Sequence, residues 1–143
     1  MHNEIRSGFY RVSVKALILN ESRDKFLIVQ EEDGYWDLPG GGLDWGETPH
    51  VGLAREVQEE MGIELVYIAE NPSYFLTSTN KRGTLQIANV IYEAGVAHLN
   101  FIPSDECIAV RFVDVDELRT FDTLNLNLIT FADLFNPLIH MKG

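Results

Sequence analysis

Glu56, Glu59 and Glu60 fall within one five-residue run, on a stretch where Leu53, Ala54, Val57 and Met61 recur at helical spacing. In a helix, residues three and four apart lie side by side, so the three carboxylates share one face beside that apolar stripe. Like charges there sit about 5–6 Å apart. They repel by roughly 3 kcal/mol at an effective dielectric of 20, against under about 1 kcal/mol in bulk water. On a solvated face the cluster costs little and means little; along a cleft it needs a cation. Hard carboxylate oxygens suit Mg²⁺, Mn²⁺ or Ca²⁺ rather than zinc. The residues before the cluster could prepare such a site. Gly40, Gly41 and Gly42 follow Pro39, allowing positive φ and close approach of a carbonyl to a ligand. Thr48 as N-cap, Pro49 at the first helical position and Gly62 as a stop predict a helix over about 49–61.

The spacing is more specific than the residue types. Gly41, five residues, Glu47, seven residues and then Arg55-Glu56-Val57-Gln58-Glu59-Glu60-Met61-Gly62-Ile63 resembles the Nudix box, Gly-x5-Glu-x7-Arg-Glu-U-x-Glu-Glu-x-Gly-U, with U apolar. All seven fixed residues and both apolar ones match. Chance would produce this at a given start on the order of 10⁻⁹ to 10⁻⁸ of the time. The resemblance implies a MutT-like, metal-dependent pyrophosphohydrolase that cleaves a nucleoside diphosphate linked to another group by attack of water on phosphorus. It assigns metal binding to Glu56, Glu59 and Glu60, with Glu56 and Glu60 as direct ligands and the carbonyl of Gly41 or Gly40 as a further one. Mg²⁺ is the expected cofactor, with Mn²⁺ as the alternative.

By the same resemblance Glu47 and Arg55 orient the loop on the helix, the guanidinium fork also holding neighbouring carboxylates. A late-chain acid often joins such sites, and Glu106 is placed for it ahead of Glu93 and Asp105. The general base is then one of Glu59, Glu60 or Glu106. Asp44 stands where many members carry Glu. Trp45, inside the box loop, is a candidate to stack on substrate. The implied ligand is a small nucleotide: a non-standard nucleoside triphosphate, a nucleotide sugar, ADP-ribose or a dinucleoside polyphosphate. The alternative is a non-catalytic module that senses a nucleotide or ADP-ribose, which would be expected to have lost box acids. An isopentenyl diphosphate isomerase of the same fold needs a catalytic cysteine in its own motif, which Cys107 does not supply.

Composition bounds the partners. The 143 residues, 45% hydrophobic, predict one globular domain over 1–143 with a real core. With 22 acidic against 11 basic residues, a net charge of −11 argues against stable nucleic-acid or anionic-membrane binding. Cys107 is the single cysteine, which precludes an intrachain disulfide and favours a reducing compartment; it is expected to pack as a small hydrophobe. The first ten residues show no apolar signal region, and no stretch approaches the roughly 20 apolar residues of a membrane helix, so a cytoplasmic location is expected. His2, His50, His98 and His140 show no metal-ligand spacing. A homodimer is implied by family analogy alone.

The positioning elements follow from periodicity. Strands are predicted over about 9–20 and 25–30 as a hairpin, then over 35–38, 63–69, 109–113, and in a long hairpin over 73–79 and 84–94. A helical turn is predicted at 114–118 and a C-terminal helix over 123–141, ended or kinked by Pro137. These elements fit an α/β/α sandwich, a mixed sheet between helices, in agreement with the Nudix fold. Alternation on the first strand puts Arg11, Ser13 and Lys15 on one face, making Arg11 and Lys15 candidate phosphate contacts. Lys81 and Arg82, in a turn, are expected as surface charge.

Overall fold

The computed structural model describes residues 8–141. The reading of the N-terminal segment and of His2 lies outside them. Two sheets share the strands. The larger contains β1 (Tyr10–Ile18), β4 (Gly40–Gly42), β5 (Leu65–Ile68), β6 (Tyr74–Thr79) and β7 (Gln86–Val96). Its order is β4-β1-β7, with β7 long enough to pair β6 through its first half and β5 through its last residues. Only β1 and β7 run parallel; the other pairs are antiparallel, so the sheet is mixed. The smaller sheet sets β2 (Phe26–Gln30) between β3 (Trp36–Asp37) and β8 (Ala109–Val113), all antiparallel.

The helices cover opposite faces because β1 and β2 are apolar on both sides. Val14, Ala16 and Ile18 of β1, with Leu27 and Val29 of β2, pack against Leu53, Val57 and Met61 of α1 (Pro49–Met61). The alternate residues Leu17, Phe26 and Ile28 pack against Leu118 of α2 (Val115–Leu118) and Leu128, Phe131 and Ala132 of α3 (Leu126–Leu134). Phe131 meets Phe26 and Tyr74 edge-on, with ring centroids 5.1 and 5.3 Å away. This is the expected α/β/α arrangement, with the sheet divided in two.

Four local expectations change. The hairpin between β1 and β2 shrinks to a single bridge, Leu19 to Phe26, because β2 is buried on both faces and takes a central place in the other sheet. The C-terminal helix is α3 alone. Thr123 to Asn125 are extended and pair with Trp36, and Pro137 forces Asn136 out of helical geometry before a short 3₁₀ turn, Pro137–His140. Ala54 is exposed, so the stripe of α1 is Leu53, Val57 and Met61. Of the three glycines in β4, only Gly40 takes a positive φ, 124°.

Deleting the Phe131 ring should cost about 3–5 kcal/mol through lost burial and a cavity. Urea unfolding of Phe131→Ala checks it, with a small change in midpoint as the contrary result.

Candidate active site

The helix that carries the carboxylates is set by local signals. Thr48 accepts a hydrogen bond from Val51 N at 3.4 Å, Pro49 opens the first turn, and Gly62 closes it in the left-handed region, its N–H reaching Gln58 O. Docking by Leu53, Val57 and Met61 then places Glu56 and Glu60 against β4. A side chain at Gly41 would overlap the Glu56 carboxylate, so that carboxylate lies directly on the strand's backbone. Glu60 is 6% exposed and accepts from Gly40 N at 3.3 Å. Gly40 itself has no room for a Cβ, which would overlap the Val14 carbonyl.

Arg55 ties the set together. Its Nε and one terminal nitrogen donate to both oxygens of Glu47 at 2.7 and 2.8 Å, and the same terminal nitrogen reaches Gly42 O at 3.1 Å. The other nitrogen donates to Glu56 and Glu59, each at 3.1 Å. Glu47 also accepts from Asp44 N at 3.0 Å, which closes the loop onto the helix. The loop lies so close that a side chain at Gly52 would overlap Leu43 and Glu47. A glycine inside a helix costs up to about 1 kcal/mol. That unfavourable choice immediately before Leu53 was the only sequence signal of Gly52's role.

Charges in the site are unequal. The Arg55 fork, with help from Asp44 N, holds the Glu47 carboxyl down at about 2. Glu47 in turn raises the Arg55 guanidinium above its ordinary range. Burial pushes the Glu56 carboxyl up against the pull of Arg55, and pushes Glu60 up much further against the pull of Lys15. Glu106, exposed in the loop before β8, adds repulsion to both. Two desolvated carboxylates and a third nearby form an oxygen-only donor set that fits a hard divalent cation. Among the described residues, no three acidic, histidine or cysteine side chains already converge as a metal cage. Glu56 and Glu59 are turned onto Arg55 instead.

The remaining candidates are placed as follows. Arg11 is exposed at the start of β1, with its guanidinium lying over Gly42, beside the acidic edge. Lys15 departs from the expectation of a phosphate contact. It is 7% exposed, and its ammonium is enclosed by Asp37 Oδ2 at 3.3 Å, Leu38 O at 3.4 Å and Gly40 O at 3.2 Å. Burial lowers its pKa, but Asp37 and Glu60 outweigh that and raise it overall. Trp45 is fully exposed on the box loop. Lys81 bonds Glu31 at 3.1 Å, also bonds Asp33, and lies 4.4 Å from the centre of the Tyr35 ring. Cys107 is fully buried, which pushes its thiol up to about 11, as fits an inert core residue. His140 is buried between Tyr74 (2.8 Å) and Glu93 (3.2 Å), away from the carboxylates of α1.

The NUDIX domain model matches residues 9–134. The chain belongs to the Nudix family. It is 34% identical over 130 residues to a MutT-like protein of Streptomyces ambofaciens, covering 90% of this chain and 80% of that one. An RNA pyrophosphohydrolase of Ruthia magnifica is 35% identical over 65 residues, 46% of this chain and 36% of its own length. A MutT protein from Methanosarcina mazei Go1 superimposes with a TM-score of 0.73 at 28% identity, covering 89% of this chain and 93% of that one. The chain is thus a Nudix hydrolase, from a family that generally uses divalent cations. No helix among the described residues is long and apolar enough to cross a membrane.

Glu47 yields a pH prediction. Its folded pKa of about 2 lies below the 4.5 of the free side chain, so its stabilisation is complete above 4.5 and disappears as pH falls through 2. Denaturation at a series of pH values should show wild type more stable than Glu47→Gln at pH 6, with the gap closing between about pH 5 and 2. A constant gap would contradict it.

Proposed function

We propose that this Nudix hydrolase cleaves the phosphoanhydride bond of a nucleoside diphosphate linked to a further group, with Mg²⁺ as cofactor and Mn²⁺ as a substitute. The observation that carries the reading is the seating of Glu56 and Glu60 on the backbone of Gly41 and Gly40. In that position both carboxylates are desolvated and have a counter-charge to gain. Glu56 and Glu60, with Glu59 and the Gly41 carbonyl, would hold the cation. When bound it would supply Lewis acidity to the phosphoryl oxygens and lower the pKa of a coordinated water.

The chain's own residues do the rest. Arg55 keeps Glu56 and Glu59 aligned until a stronger positive charge competes for them, and its fork on Glu47 fixes the loop that carries Asp44 and Trp45. Arg11, whose guanidinium lies over Gly42, would steady the substrate's phosphate. The water's proton goes to Glu59, Glu60 or Glu106. A nucleotide-derived substrate is supported by the name of the Ruthia relative, an RNA pyrophosphohydrolase. The buried, unpaired Cys107 fits a reducing, cytoplasmic setting.

A Mg²⁺-supplemented panel of nucleoside triphosphates, nucleotide sugars, ADP-ribose and dinucleoside polyphosphates, with both products identified, tests this. Glu56→Gln and Glu60→Gln should each lower turnover by about 100-fold or more while thermal unfolding and circular dichroism stay near wild type. Wild-type turnover in both variants refutes the assignment. Tight nucleotide binding without turnover in the unaltered chain would return the sensing module.

A further inference from the structure

Among the described residues, β4 is the last strand of its sheet and pairs on one side only, with β1. Ala16 N donates to Pro39 O at 2.8 Å and Leu43 N to Val12 O at 2.9 Å, which makes Lys15 and Gly40 a non-hydrogen-bonded pair of the ladder. In such a pair the N–H and C=O of Gly40 point away from β1, out over the edge. A bare edge leaves a donor and an acceptor unmet. Here two side chains meet them. Gly40 N donates to Glu60 Oε1 at 3.3 Å, and Gly40 O accepts from Lys15 Nζ at 3.2 Å.

The Lys15 ammonium is wholly committed to this place. Its three hydrogens face three acceptors, Asp37 Oδ2, Leu38 O and Gly40 O, so none is left for a phosphate. Asp37 is fixed in turn by Leu38 N at 2.7 Å, Asn125 Nδ2 at 2.9 Å and Asn127 Nδ2 at 2.6 Å. Lys15 therefore ties the Gly40 carbonyl to an anchor that three other donors hold still. The strand needs one. Gly40 has a φ of 124° and is followed by two more glycines, a run with little stiffness of its own.

The carbonyl that Lys15 holds belongs to the peptide unit leading into Gly41. The Glu56 carboxylate lies against Gly41, and the N–H on the other side of Gly40 is the one that Glu60 accepts. Both acids of α1 thus rest on a two-residue backbone whose orientation Lys15 sets from the opposite face of the sheet.

We propose that Lys15 is a positioning residue of the cation site: without touching substrate or metal, it locks the Gly40–Gly41 peptide so that the Gly41 carbonyl, Glu56 and Glu60 can meet one ion together. The inference rests on the hydrolase reading above and adds a residue which that reading leaves out. Charge alone argues for the opposite effect. The ammonium acts on Glu60 through space, so it repels an incoming divalent cation, and its removal would tighten binding. Groups that hold metal ligands in place affect affinity by about 10–100-fold in the other direction. The sign of the change therefore separates positioning from mere charge.

Electron paramagnetic resonance of free Mn²⁺, titrated with the full chain, tests it without substrate or turnover. Lys15→Met should weaken Mn²⁺ binding about tenfold or more. The double variant Lys15→Met/Asp37→Asn removes one charge of each sign, so it leaves the net charge unchanged and no buried carboxylate without its cation. It should weaken Mn²⁺ binding to a similar extent, with thermal unfolding confirming that it folds. In the metal-free chain both variants should lose hydrogen-exchange protection at the Gly40 amide, while the Val57 amide within α1 keeps its own. Unchanged or tighter Mn²⁺ binding in the two variants overturns the proposal. So does unchanged Mn²⁺ binding with weakened nucleotide binding, the mark of a direct phosphate contact. The two readings fail differently: a wild-type chain that binds no Mn²⁺ overturns the hydrolase reading and this one with it. Binding that is lost in Glu56→Gln but kept in both Lys15 variants overturns this one alone.

Discussion

The guanidinium of Arg55 joins the loop, the helix and the glycine strand at one point. Its fork on Glu47 closes the loop onto α1, its bond to Gly42 O fixes β4, and its remaining nitrogen gathers Glu56 and Glu59. A planar, permanently charged group with several fixed donors can do this; a lysine ammonium cannot reach the same set of acceptors in one geometry. The arrangement also offsets repulsion among the clustered acids. Arg55 neutralises Glu47 most strongly, and its hold on Glu56 is the part a competing cation would have to replace.

The sheet brings the two halves of the proposed site together. On β1, Val14, Ala16 and Ile18 face α1, while Arg11, Ser13, Lys15 and Leu17 face the side on which α3 packs. Strand β4 lies at the edge, so its glycines meet α1 acids on one side and Arg11 on the other. Lys15 and Asp37, both buried, connect those faces through the Gly40 carbonyl.

What could be read from the sequence was what local chemistry decides. Thr48, Pro49 and Gly62 bound α1 to the residue, since cap and stop act within one turn. The family resemblance implies Glu47 and Arg55 as a pair, and Arg55 Nε lies 2.7 Å from the Glu47 carboxylate. Long-range pairing was not legible. Nothing near Lys15 announces Asp37, 22 residues away, which turns a candidate phosphate contact into a buried strut. Thr123 to Asn125 have helical periodicity around them, yet their backbone is taken by Trp36. The same diversion places Asn125 and Asn127 on Asp37, a relation visible only once the strands are folded.

Glu56 and Glu60, seated on the glycine strand, are the proposed holders of the cation. Diffraction from crystals grown with Mn²⁺ and a non-hydrolysable nucleoside diphosphate analogue, using anomalous scattering to locate the metal, tests this most directly. The expected result is an anomalous peak bound by carboxylate oxygens of Glu56 and Glu60 with the Gly41 carbonyl and the analogue's phosphates, and Arg55 withdrawn from Glu56. A peak confined to the neighbouring acidic pocket of Glu31, Glu32, Asp33, Asp105 and Glu106, or no bound metal while the analogue is in place, would contradict it.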